Sequence, residues 1–183
     1  MSGRYFIKTL LIGDGAVGKT TLRRRYMGER LDSNYIMTIG ADFSVKRENI
    51  EGFGSEITYQ IWDVAGQPRF GQIRSGFYKG ARGALLVFDL TRPDTFNNAG
   101  RWLNELQGAL KQVIPFLLIG NKLDIRNQAP TSITTEQGKR YAEKLSQITD
   151  RFGFEVEYYE TSALTGENVN TAFLGLGKKI LEQ

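Results

Sequence analysis

The sequence predicts an α/β fold: a doubly wound, six-stranded sheet, mixed but mostly parallel, with helices on both faces. Three observations carry this expectation. Apolar, β-rich runs alternate with longer stretches of helical period, the pattern of a parallel sheet built from crossover units. The 183 residues suffice for one domain, residues 1–183, with both sheet faces covered. One pair of runs is joined only by EGFG, residues 51–54, too short for a crossover, so that pair must run antiparallel.

The elements follow in order. A strand from Tyr5 to Ile12 leads straight into a glycine-rich loop and a helix from Gly18 to about Met27. Strands at Asp42 to Glu48 and Glu56 to Asp63 flank EGFG, and a weak helix near Gln72 to Lys79 precedes the strand Gly83 to Asp89. From Asp94 to about Leu110, Ala99, Trp102, Leu103, Leu106 and Leu110 recur at helical spacing as one core-facing stripe. A strand from Pro115 to Gly120, a helix from Thr134 to Thr149 and a strand from Glu155 to Thr161 come next. The last helix, Asn168 to Leu181, repeats the stripe with Val169, Ala172, Phe173, Leu176 and Ile180.

Composition bounds the function. An apolar fraction of 40% and a charged fraction of 24% describe a globular protein. The net charge of +4 is modest, and its densest run, Arg23 to Arg25, reads as the solvated face of a helix, so no nucleic-acid partner is expected. Without cysteine there are no disulfides, thiolate ligands, prenyl groups or palmitoyl groups on this chain, and without histidine no imidazole chemistry. The longest apolar runs, VIPFLLIG and GALLVF, fall well short of the roughly 18 residues of a membrane span. Ser2 removes the myristoylation pattern, and FIKTLLI, interrupted by Lys8, is unlike a cleavable signal. The expectation is a cytoplasmic monomer with no lipid anchor on this chain. Peripheral membrane association would need a lipidated tail or a partner.

GDGAVGKT, residues 13–20, matches GxxxxGK[ST] and marks the fold as the P-loop NTPase type. A loop poor in side chains turns its backbone N–H groups toward phosphate oxygens, helped by the positive end of the following helix. Lys19 reaches the β and γ phosphates and the Thr20 hydroxyl coordinates Mg²⁺. A phosphate cradle alone leaves kinases, ATPases and GTPases open. NKLD, Asn121 to Asp124, and TSAL, Thr161 to Leu164, end the fifth and sixth strands, where open α/β sheets bind ligands. The Asp124 carboxylate accepts from guanine N1–H and its exocyclic amine, donors that adenine lacks there. In WDVAGQPRF, Asp63 stands where a carboxylate holds Mg²⁺, Gly66 can offer an N–H to the γ phosphate, and Gln67 suits a residue that orients water. Thr38, after a polar segment of little periodicity, can add a second hydroxyl to the metal.

Through GDGAVGKT, TIGADF, YQIWDVAGQPRF, FYKGARGALLVFDLT, NKLD and ETSAL the chain resembles a small GTPase of the Ras superfamily, most like the Rab family. The resemblance implies a switch that binds GTP or GDP with Mg²⁺ and slowly hydrolyses GTP, served by effectors, an exchange factor and a GTPase-activating protein. It implies catalytic roles for Lys19, Gly66 and Gln67, and metal contacts from Thr20, Thr38 and Asp63. The implied nucleotide contacts are Gly13, Asp14, Gly15, Ala16, Val17, Gly18, Lys19, Thr20 and Thr21, then Leu31, Tyr35, Thr38 and Gly66, and finally Asn121, Lys122, Asp124, Ser162, Ala163 and Leu164. Lys122 would lie along the guanine face, Asn121 would tie its loop to the glycine loop, and the Ala163 N–H would meet guanine O6. Phe43, Trp62 and Phe77 resemble the aromatic triad through which Rab effectors sense the switch.

Several positions depart from the pattern. Leu31 replaces the aromatic ring that usually flanks the guanine, which forfeits a π-face and favours faster release. Pro68 replaces glutamate and biases Gln67 toward extended backbone. SQITDRFGFEVE, residues 146–157, carries extra length, read as a longer helix or loop. Arg69 and Arg74 lie near Gln67 in sequence, but nothing aims either at the phosphates. Unassisted hydrolysis on the order of 10⁻⁴ to 10⁻³ per second is expected. Competing readings are a GTP-binding module that scarcely turns over, with Pro68 as its clue; a P-loop kinase or ATPase, opposed by NKLD; and a nucleic-acid binder resting on Arg23 to Arg25.

Overall fold

The computed structural model describes residues 4–31, 37–50 and 52–183, Ser55 by its backbone alone. Strands β1 (Arg4–Ile12), β2 (Ala41–Ile50), β3 (Ser55–Val64), β4 (Gly83–Asp89), β5 (Phe116–Asn121) and β6 (Tyr158–Thr161) form one sheet in the order β2-β3-β1-β4-β5-β6. Only β2 and β3 pair antiparallel, in a register that sets Phe43 opposite Trp62; the other neighbours run parallel. Every position of β4 and β5 is buried, because helices cover both faces.

The helices are α1 (Lys19–Tyr26), α2 (Gly71–Tyr78), α3 (Pro93–Asn97), α4 (Ala99–Leu110), α5 (Thr135–Thr149) and α6 (Val169–Leu181). Alternate residues of each strand feed opposite cores. Leu11, Val87 and Ile119 pack with Leu22 of α1 and Leu176 of α6, while Leu10, Phe88 and Leu118 pack with Trp102 of α4 and Leu145 of α5. Tyr26 stacks on Phe173 with ring centroids 3.9 Å apart, which ties the end of α1 to α6. Burying side chains of this size contributes about 1.5–3 kcal/mol each.

Three expectations need correction. The helix foreseen from Asp94 to Leu110 is interrupted at Asn98, whose side chain turns in to donate to Asp14 Oδ2 at 2.6 Å. The last strand begins at Tyr158 instead of Glu155. Upstream, the Val156 N–H donates to Ser146 Oγ at 2.8 Å and Phe154 O accepts from Thr149 Oγ1 at 2.7 Å, so α5 claims backbone that a strand would have used. Residues 146–157 thus form the end of α5, a 3-10 turn at Asp150–Phe152 and a return packed on the helix. Nor are Arg23 to Arg25 a solvated face. Consecutive helical residues point about 100° apart, and each of these meets different acceptors. Arg23 donates to Ser44 and to Asp42 at 2.8 Å, Arg24 to Glu29 at 3.2 Å, and Arg25 to the carbonyls of Ala163, at 2.9 Å, and Leu164.

Candidate functional site

Because β1, β3, β4, β5 and β6 run parallel, their C-terminal ends open on one rim of the sheet. The first loop on that rim, between β1 and α1, takes left-handed backbone at Ala16 (φ 62°) and Gly18 (φ 100°). A Cβ on Gly18 would stand 2.3 Å from Asn121 Nδ2. Glycine there leaves room for Asn121 to donate to Val17 O at 2.9 Å, a bond that joins this loop to the end of β5.

Lys19, at the start of α1, folds back over the loop and donates from Nζ to Gly13 O at 2.8 Å and Asp14 O at 2.7 Å. Burial lowers its pKa to about 8, against the opposing pull of Asp63 and Asp14. Among the described residues its Nζ donates to carbonyls alone, and such a buried amine suits a polyanion. The Asp14 carboxylate is gripped from α4 and from Asn98 just before it. Trp102 Nε1 donates to it at 2.7 Å and Arg101 at 3.1 Å, beside the bond from Asn98, while Arg92 donates to Gly15 O at 3.2 Å. Sequence reasoning missed these four residues. The one available signal was that a buried indole N–H needs an acceptor.

Thr20, Thr38 and Asp63 converge. Thr20 Oγ1 lies 2.8 Å from Thr38 Oγ1 and 2.5 Å from Asp63 Oδ2, and Thr38 Oγ1 lies 3.1 Å from the same carboxylate oxygen. Asp63 is fully buried, and its Oδ1 has no partner among the described residues. Two hydroxyls and a carboxylate with an unspent buried oxygen suit a hard, oxygen-seeking cation such as Mg²⁺. Thr21 lies in the first turn of α1. Leu31 is half-buried, and Tyr35 lies outside the described residues.

Gly66 meets the loop backbone directly: a Cβ on it would be 2.3 Å from Gly13 O and 2.6 Å from Gly15 N. Gln67 is extended (φ −71°, ψ 143°) ahead of Pro68, which starts a 3-10 turn. That is the conformation a following proline favours. Its side chain lies over Gly15, and its Oε1 is buried without a partner among the described residues. Arg74 is tied to α4 and to the carbonyls on either side of Gly66. Its guanidinium, over the Trp102 ring, donates to both Glu105 oxygens at 2.7 and 2.8 Å and to Gln67 O at 2.9 Å. These bonds to Glu105 raise the arginine pKa; burial pushes Glu105 up, but its bonds from Arg74 and Tyr78 hold it below the usual carboxylate range. Arg69 reaches Met37 Sδ instead.

At the other end of the rim, Asn121 Oδ1 accepts from Thr161 Oγ1 and from the Ala163 N–H, both at 3.1 Å. The N–H expected to meet a base oxygen is thus engaged by Asn121 in this arrangement. Lys122 takes left-handed backbone (φ 70°) and sets Nζ 2.7 Å from Asp89 Oδ2. Asp124 is exposed and accepts from Ser162 Oγ at 2.6 Å, and Leu164 is 62% exposed. The fold therefore sets the 13–20 loop, Thr38, Asp63, Gly66, Gln67, Asn121 and the 162–164 loop along one rim that Asn121 bridges, while among the described residues Thr21 and Leu31 take no part in these contacts.

Comparison with known proteins bears on the chemistry. Residues 8–182 match the Ras family. The chain is 44% identical to Ras-related protein Rab11E of Lotus japonicus over 169 residues, 92% of this chain and 72% of that protein. It is 42% identical to Ras-related protein RABA5e of Arabidopsis thaliana over the same length and shares. With GTP-binding protein YPTM2 of Zea mays the identity is 37% over 179 residues, 98% of this chain and 82% of that protein.

Proposed function

Since the chain belongs to the Ras family and is a Rab-like small GTPase that hydrolyses GTP, we propose the residues that carry this activity in a single domain. The 13–20 loop cradles the phosphates, with Lys19 released from its carbonyls to the β and γ oxygens. Gly66 offers its N–H to the γ phosphate. Gln67 orients a water for in-line attack on γ phosphorus, breaking the bond to the bridging oxygen and giving GDP and phosphate. Thr20, Thr38 and Asp63 would hold Mg²⁺, which when bound neutralises charge on the phosphates. Asp124 accepts from the guanine N1–H and exocyclic amine, and Lys122 covers the ring.

The observation that supports this assignment best is Asn121. One side chain donates to the phosphate loop and accepts from the loop beside Asp124, so base and triphosphate sites share one rigid mount. Phe43, Trp62 and Phe77 form a row, with centroids 5.1 and 6.3 Å apart, and Phe77 lies against Gly40, whose carbonyl accepts from the Ala65 N–H. We assign that row to effector binding. No helix among the described residues is long and apolar enough to cross a membrane.

Single-turnover phosphate release tests the catalytic assignment. Gln67→Ala is expected to slow hydrolysis about tenfold or more while GTP affinity stays within about threefold. An unchanged rate would remove Gln67 from the mechanism.

A further inference from the structure

We infer that Arg25 is a positioning residue for base recognition: it holds two carbonyls of the loop after β6 and thereby sets the amide that meets the guanine carbonyl oxygen. The inference rests on the guanine assignment above. Arg25 closes α1, the helix that begins with Lys19 and Thr20, and reaches across to Ala163 O with Nε at 2.9 Å and to Leu164 O with Nη2. Among the described residues no carboxylate lies within ion-pair distance of it, so both bonds spend a full positive charge on neutral carbonyls. Charge-assisted bonds of this kind are about twice as strong as neutral ones. The planar guanidinium fork also fixes two successive peptide groups relative to each other, which a single-point donor does not.

Accounting for the loop amides shows what that orientation does. Ser162 N–H donates to Glu167 O, Ala163 N–H to Asn121 Oδ1, Thr165 N–H to Ser162 Oγ and Gly166 N–H to Ser162 O. Leu164 N–H has no acceptor among the described residues. It shares a trans peptide with Ala163 O, so pinning that oxygen to Arg25 points the N–H away from α1. A fixed, unspent donor suits guanine, which carries a carbonyl oxygen at its six position. It rejects adenine, which carries an amino group there and would leave the amide unpaired. Arg25 never touches the base; it acts through the backbone it holds.

The test compares GTP with the triphosphate of 2-aminopurine riboside, which lacks the six-position oxygen and with it the N1–H, on wild type and Arg25→Met. The missing N1–H is common to both proteins, so the change in preference between them reports on the oxygen. The preference for GTP over the analogue should fall about tenfold in the variant, with faster GDP release. Single-turnover hydrolysis of bound GTP should stay within about twofold. An unchanged preference ratio, even with faster release, would overturn the inference and leave Arg25 as packing. Should Arg25→Met fail to fold, Arg25→Lys keeps the charge without the fork; a reduced ratio supports the inference and an intact ratio overturns it. Wild type that fails to favour GTP over ATP would instead overturn the guanine assignment, and the inference with it.

Discussion

Leu31 and Pro68 carry the two residue-scale predictions. Leu31 is half-buried and aliphatic where a ring would offer a face to the base, so Leu31→Phe should slow nucleotide release by about three- to tenfold. Stopped-flow displacement of a fluorescent GDP would show it, and an unchanged off-rate would reject the lid role of Leu31. Pro68 stands next to the water-orienting candidate, and Gln67 has the extended backbone that proline favours. Pro68→Glu should therefore raise the single-turnover hydrolysis rate; an unaltered rate would remove proline from the explanation. The backbone of Gln67 was legible because a proline acts on its immediate neighbour. Its side chain over Gly15 was not, since that contact joins the end of β3 to the end of β1. Arg74 was harder still: its acceptors are supplied by α4 and by the backbone of Gln67.

Between elements, Glu160 of β6 is a polar joint beside Asn121 and Asp124. It accepts from Arg126 on the turn after Asp124, from Thr135 at the start of α5 at 3.1 Å, and from Tyr158 at 2.9 Å. Burial alone would raise its pKa, but these bonds, Arg126 foremost, lower it below 4.5. A depressed folded pKa means that the stabilisation is fully present above about pH 4.5 and disappears as pH falls through the lowered value. Glu160→Gln should cost about 1–2 kcal/mol at pH 7. In urea unfolding the gap to wild type should close as the pH drops toward 3, and a gap constant with pH would contradict the role given to Glu160. Strand and helix periods were readable from the chain because burial imposes them locally. The break at Asn98 and the late start of β6 were not, since both follow from side chains that bond to other elements.

Across the whole molecule, α/β topology brings loops distant in sequence to one rim, which is why four short motifs sufficed to foresee it. Motif spacing names the residues that face a ligand. It says nothing of those that hold them from behind, such as Trp102 on Asp14 or Arg25 on Ala163. In this arrangement Asn121 joins the 13–20 loop to the loop after β6, and we assign the choice of base to Asp124. Equilibrium competition between GTP and ATP, run with Mg²⁺ on wild type and on Asp124→Ala, tests that claim most directly. Wild type should favour GTP by about 10³-fold or more, and the variant should lose most of that margin. ATP competing on equal terms with GTP for wild type, or a margin that survives the loss of Asp124, would contradict it.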